Sequence, residues 1–88
     1  VKRLTLVTPI KEYVRQTDLT EVTFARSYLT AGDLLRARRA SQSKDEYEIS
    51  LHIYAGILGL DIRDIEAMDV RDIAAIDAVI SEIQSPKV

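Results

Sequence analysis

The chain has no cysteine, a single histidine, three glycines and two prolines in its 88 residues. Without cysteine, neither a disulfide nor a thiolate metal site can reinforce the fold, so further stability must come from packing, a ligand or self-association. Association is the expected source. One histidine and no cysteine also leave general acid-base and nucleophilic catalysis without their usual residues. His52 lies between Leu51 and Ile53, has no H-x-x-x-H or E-x-x-H companion, and reads as structural. Gly32, Gly56 and Gly59 are too scattered for a phosphate-binding loop. No apolar run approaches the roughly 18 residues of a membrane span. The first residues lack the basic-then-apolar pattern of a signal peptide, so a cytoplasmic protein is expected.

What is present indicates a folded domain. Hydrophobic residues make up 47% of the chain, enough for a core, and 30% of the residues are charged, enough for solubility. Residues 1–88 are read as one domain, about 1–28 a hairpin and about 30–84 helical, burying roughly 60–65% of the unfolded surface. The net charge of −2 conceals an asymmetry. Residues 1–44 carry nine Lys or Arg against four Asp or Glu, and residues 45–88 carry three against ten. Complementarity between the two halves of one chain is the first expectation, and head-to-tail association is the second.

The expected fold class is α+β, an N-terminal two-stranded β-hairpin followed by three or four α-helices. Arg3 to Thr8 alternates as a first strand, with Pro9 ending it or marking an edge, and Ile10 to Val14 available to extend it past a bulge. Leu19 to Arg26, rich in β-branched and aromatic residues, is the second strand. The intervening connection has no Asn-Gly signal, so the register is not readable. Thr30 with Asp33 opens a helix to about Ala40, and Ser43 with Glu46 forms a capping box for a second helix that stops at Gly59. Asp61-Ile62-Arg63-Asp64-Ile65 is echoed eight residues later by Asp69-Val70-Arg71-Asp72-Ile73. Each echo reads as a helix start with aspartates at N-cap and N3, giving a short helix near 62–68 and a last one from 70 to about 84, ahead of Pro86.

Those aspartate pairs could be imagined as a divalent-cation site, but capping accounts for them, and no metal or cofactor is expected. Arg26, Arg36, Arg38, Arg39 and Lys44 make a basic patch suited to nucleic acid, opposed by the acidic second half. A solvated or internally paired face is the plainer reading. The apolar stripes are broader than one small neighbour must cover. Tyr47, Leu51, Tyr54 and Leu58 form one, Ile49, Ile53, Ile57 and Leu60 another, and Ile73, Ile76, Ile80 and Ile83 a third. Core packing uses some of these residues. Candidates for contact with a partner or a second copy are Tyr47, Leu51, Tyr54, Leu58, Ile76, Ile80 and Ile83.

Leu4-Thr5-Leu6 leading to Thr8-Pro9-Ile10, then Leu19 to Phe24, then Ala31-Gly32-Asp33-Leu34-Leu35-Arg36, and finally Gly59-Leu60-Asp61 through Ile73 follow one another in a characteristic order. In that order the chain resembles the phage tail assembly chaperones of Mu-like and related contractile-tailed phages and prophages, over nearly its full length. Two differences stand out: the family usually has a shorter, glycine-containing turn where this chain has Lys11 to Asp18, and Ser41 to Tyr54 matches no family pattern. The resemblance implies a non-enzymatic protein of the bacterial host cytoplasm that binds the helix-rich tape measure protein, keeps it soluble and is absent from the mature virion. It also implies a longer, frameshifted product. A homo-oligomer fits weak, multivalent coverage of a long client. The other readings are a small phage structural or interaction protein and a nucleic-acid-binding regulator using the basic first helix.

Overall fold

A computed structural model describes residues 2–42 and 45–84. An antiparallel hairpin, β1 (Lys2–Lys11) and β2 (Asp18–Phe24), precedes four helices, α1 (Ala31–Ala40), α2 (Glu46–Leu58), α3 (Ile62–Glu66) and α4 (Val70–Gln84). The α+β class holds. The second strand ends at Phe24, two residues earlier than its composition predicts.

The ladder pairs Lys2 with Phe24 through Thr5 with Glu21, then resumes at Ile10 opposite Leu19. Between these points Leu6 to Pro9 face the single residue Thr20, so β1 bulges away from its partner. Pro9 sits inside the bulge, where its missing N–H costs the ladder nothing. The connection contains no glycine; Gln16 takes the left-handed backbone there, at φ 58°, with its N–H bonded to the Glu12 carbonyl at 2.8 Å. A glycine-free sequence thus still closes the turn.

The bulge leaves the N–H groups of Val7 and Thr8 without ladder acceptors. Asp72, at N3 of α4, takes both, with Oδ1 at 2.7 Å from the Val7 nitrogen and Oδ2 at 3.2 Å from that of Thr8. The first copy of the echo does the same just past the far end of the strand, where Asp64 accepts the Tyr13 N–H at 2.7 Å. Asp64 and Asp72 are 2% and 3% exposed. The sequence pattern assigns these N3 aspartates to capping, and the structure corrects it. Only the first aspartate of each pair caps. Asp61 accepts from the Arg63 N–H and Asp69 from the Arg71 N–H, and each also pairs with that arginine's side chain. The second aspartate is turned onto the hairpin.

Other helix ends follow local chemistry. Thr30 and Asp33 exchange hydrogen bonds as a full capping box. The N-cap of α2 is Asp45, which accepts the Tyr47 N–H at 2.8 Å; Ser43, expected in that role, lies outside the described residues. Gly59 closes α2 in the left-handed conformation at φ 68°.

The core joins Leu6, Ile10, Val22 and Phe24 of the hairpin to Tyr54, Ala55 and Ile57 of α2, Ile65 and Met68 around α3, and Ile73, Ile76, Val79 and Ile80 of α4. A hairpin alone is marginal in water, and this one is stabilised by laying one face on α2 and α4. The ion pairs Arg3–Glu21, Arg15–Glu12, Arg26–Asp33 and Arg36–Asp33 stay within the basic half of the chain. Arg63–Asp61 and Arg71–Asp69 stay within the acidic half. The expected complementarity between the halves therefore takes another form. Carboxylates of the acidic half bind backbone N–H groups of the hairpin, and the Arg63 guanidinium lies 3.7 Å from the centre of the Tyr13 ring.

Replacing Asp72 by Ala strands two N–H donors and is expected to cost about 3 kcal/mol in urea unfolding. Arg71→Ala, which breaks only a solvent-exposed pair, should cost far less. Equal losses in the two variants would refute the role given to Asp72.

Candidate functional site

Helix α2 is apolar around much of its circumference because it is the central helix, in contact with α1, α3, α4 and β2. Its Tyr54 side faces α4, where the Tyr54 hydroxyl donates to Asp77, and its Ile53 and Ile57 side faces α1. This placement corrects part of the partner surface expected from the stripes. Tyr54, Ile76 and Ile80 are buried in the core, Ile76 completely, and cannot meet a partner. Leu51, Leu58 and Ile83 are partly buried against the same core. Tyr47, 59% exposed at the start of α2, is the fully accessible member.

A concavity lies between α1 and α2, a cleft of about 270 Å³ lined by Arg26, Asp33, Arg36, Ala37, Ala40, His52, Ile53, Gly56 and Ile57. Asp33 organises its rim. While closing the capping box with Thr30, its Oδ2 accepts from Arg26 at 2.8 Å and its Oδ1 accepts from Arg36. Arg26, at the exit from β2, also lies over the Tyr28 ring at 5.2 Å from its centre. Two guanidinium groups on one carboxylate leave the rim cationic. The hydrogen bond from Arg26, followed by that from the Thr30 N–H, holds the Asp33 carboxyl well below the usual range, and the same contact raises Arg26. His52 has its Nε2 3.9 Å from a Glu48 oxygen.

The cleft floor is made of small and aliphatic groups. Gly56 has no atom within 4 Å of where a Cβ would stand, so its missing side chain is not required by packing within the chain. Of the basic patch, Arg26 and Arg36 meet at this cleft, Arg38 and Arg39 are exposed on α1, and Lys44 lies outside the described residues. Sequence reasoning identifies Asp33 only as a cap and Gly56 only as a glycine outside any phosphate loop. A glycine inside an otherwise apolar helix was the available signal. Among the described residues no group of three or more His, Cys, Asp or Glu could hold a metal ion, and no helix is long and apolar enough to cross a membrane.

These features define a small α+β domain with an open, cation-rimmed, apolar-floored cleft. No family model matches the chain, and no curated protein and no solved structure matches it significantly.

Asp33, Asp61 and Asp69 are all held below the ordinary carboxylate range, chiefly by Arg26, Arg63 and Arg71 respectively. In the unfolded chain such groups protonate at about pH 4, so their stabilisation is complete above that range and is lost as pH falls towards the lower folded values. Asp33→Asn should show a shallower acid decline than wild type. Burial, then the bond to Asp77, raises the Tyr54 hydroxyl, so stability should also fall above about pH 10, where the unfolded tyrosine ionises. That alkaline loss should be weaker in Tyr54→Phe; unfolding followed from about pH 2 to about pH 11 checks both limbs.

Proposed function

We propose that the chain is a phage tail assembly chaperone that binds the helix-rich tape measure protein without catalysis and keeps it soluble during tail morphogenesis. The observation that carries this reading is the order of short motifs, from Leu4-Thr5-Leu6 to Asp69-Val70-Arg71-Asp72-Ile73, over nearly the whole chain. The surface is compatible with it. Tyr28, Leu34, Leu35 and Tyr47 are large apolar side chains exposed between the end of the hairpin and the start of α2, and aromatic and aliphatic anchors of this kind suit a client that presents apolar helix stripes. In this reading the protein acts in the bacterial cytoplasm as a homo-oligomer and leaves the finished tail.

One observation favours a second reading. Arg38 and Arg39 are exposed on α1 without an ion pair among the described residues, as a nucleic-acid-binding regulator would require. Salt separates the two, because phosphate contacts weaken steeply with ionic strength and apolar contacts persist.

Co-expression with the tape measure protein of the same phage, affinity capture and a high-salt wash test the proposal. Retention of a soluble client is expected, with loss of capture in a folded Leu35→Asp/Tyr47→Ala variant. An insoluble, uncaptured client beside a folded wild-type domain would exclude the chaperone reading, and salt-sensitive DNA binding would then favour the regulator.

A further inference from the structure

Gly56 stands in the interior of a helix, where alanine would be the better helix former. Its backbone is ordinary, since the positive-φ glycine is Gly59, and nothing in its own chain comes within 4 Å of the missing side chain. Packing does not require it. Its smallness opens the α1–α2 cleft, whose floor it forms with Ala37, Ala40, Ile53 and Ile57.

Above that floor the charges do not balance. Arg26 donates through Nη1 and Arg36 through Nη2 to the two oxygens of Asp33, so one carboxylate serves two guanidinium groups and one positive charge is left over. Those bonds use one terminal nitrogen of each arginine. The other titratable group of the lining is His52, whose Nε2 is 3.9 Å from Glu48, a residue outside the lining. Tyr28, 57% exposed, continues the rim with its ring centre 5.2 Å from the Arg26 guanidinium.

A residual cation beside an aliphatic floor fits an occupant that carries a carboxylate close to an aliphatic group. A nucleic acid would use the rim through its phosphates and leave the floor empty. At about 270 Å³ the open cleft is smaller than the roughly 300–1,000 Å³ pockets that enclose free small molecules. It suits a side chain presented by a larger partner. A helix presents such a pair readily, because residues one turn apart share a face: the aliphatic group enters the floor and the carboxylate reaches the rim.

We propose that the α1–α2 cleft is the client pocket of the chaperone reading, on which this inference rests, and that it takes helical segments in which an aliphatic side chain has an Asp or Glu one turn away. The floor supplies the anchor, and Arg26 and Arg36 supply the selection. Because the rim is solvent-exposed, the preference for acid weakens with salt while the apolar anchor persists.

Two blocked amphipathic helical peptides serve as probes, one with leucines each followed a turn later by glutamate, the other with glutamine at every glutamate. In titrations followed by amide NMR, the glutamate peptide should shift Ala37, Ala40, Ile53 and Gly56. The glutamine peptide should bind about three- to fivefold more weakly, a gap that closes as salt is raised. Gly56→Leu fills the floor at a position with open space; it should raise the urea midpoint while weakening both peptides at least about tenfold. Arg36→Gln, at an exposed side chain, should reduce the glutamate preference and leave the glutamine peptide unchanged. Equal binding of the two peptides at low salt, shifts confined to other surfaces, a folded Gly56→Leu that binds like wild type, or displacement of the peptide by a DNA duplex would each overturn the proposal. Tape measure capture is read separately. A client held equally by wild type and Gly56→Leu would overturn the pocket and leave the chaperone reading standing, whereas peptides bound as stated beside an uncaptured client would overturn the chaperone reading and leave an acid-selective cleft.

Discussion

The fold depends on a carboxylate that stands in for missing ladder acceptors. Where β1 bulges from β2, the Val7 and Thr8 N–H groups have lost their ladder, and Asp72 receives both from the first turn of α4. A two-stranded sheet cannot be buried against helices with such donors unmatched, because an orphaned backbone group costs as much as a lost hydrogen bond. A charged acceptor makes the replacement bonds stronger than the neutral ones they replace. The short echo in the sequence is therefore a docking device used twice: Asp72 attaches β1 at its bulge and Asp64 attaches the chain just beyond it, while Asp61 and Asp69 keep their helix starts in place.

With the hairpin fixed to α3 and α4, α2 becomes the helix that every other layer needs. Its Tyr54 side and its Ile53 side are both occupied, one by α4 and one by α1, which is why breadth of apolar surface in that helix did not translate into a free partner face. A helix that is apolar all round is central before it is sticky. Accessible apolar groups lie elsewhere, among them Tyr28, Leu34, Leu35 and Tyr47, where the chain leaves the hairpin and wraps α1 onto α2, and Val7, Tyr13, Val14 and Val70 on the hairpin, its connection and α4.

What could be read from the sequence was local. Thr30 with Asp33, Asp61, Asp69 and Gly59 act within a turn of their own position, so their roles follow from neighbours three or four residues away. The bulge was suggested by Pro9. The partners of Asp64 and Asp72 are 51 and 65 residues distant, and no local pattern distinguishes an N3 aspartate that turns back to its cap from one that reaches across the core. Asp33 turns back and Asp72 reaches out, though both stand at N3. The cleft was hidden for the same reason, since Gly56 acquires meaning only once Ala37 and Ala40 are opposite it.

Asp33 links this architecture to interaction. Its carboxylate caps α1 and also binds Arg26 at the exit from β2, so the helix start, the strand end and the cleft rim are tied to one group. The rim charges are consequently held in place before any partner arrives, which lowers the ordering cost of a contact that is otherwise small and solvent-exposed. Contacts of that kind are weak one by one and strong in series. Under the proposed chaperone reading, a domain with a fixed rim and a shallow floor would bind a long partner through many such contacts and come off again.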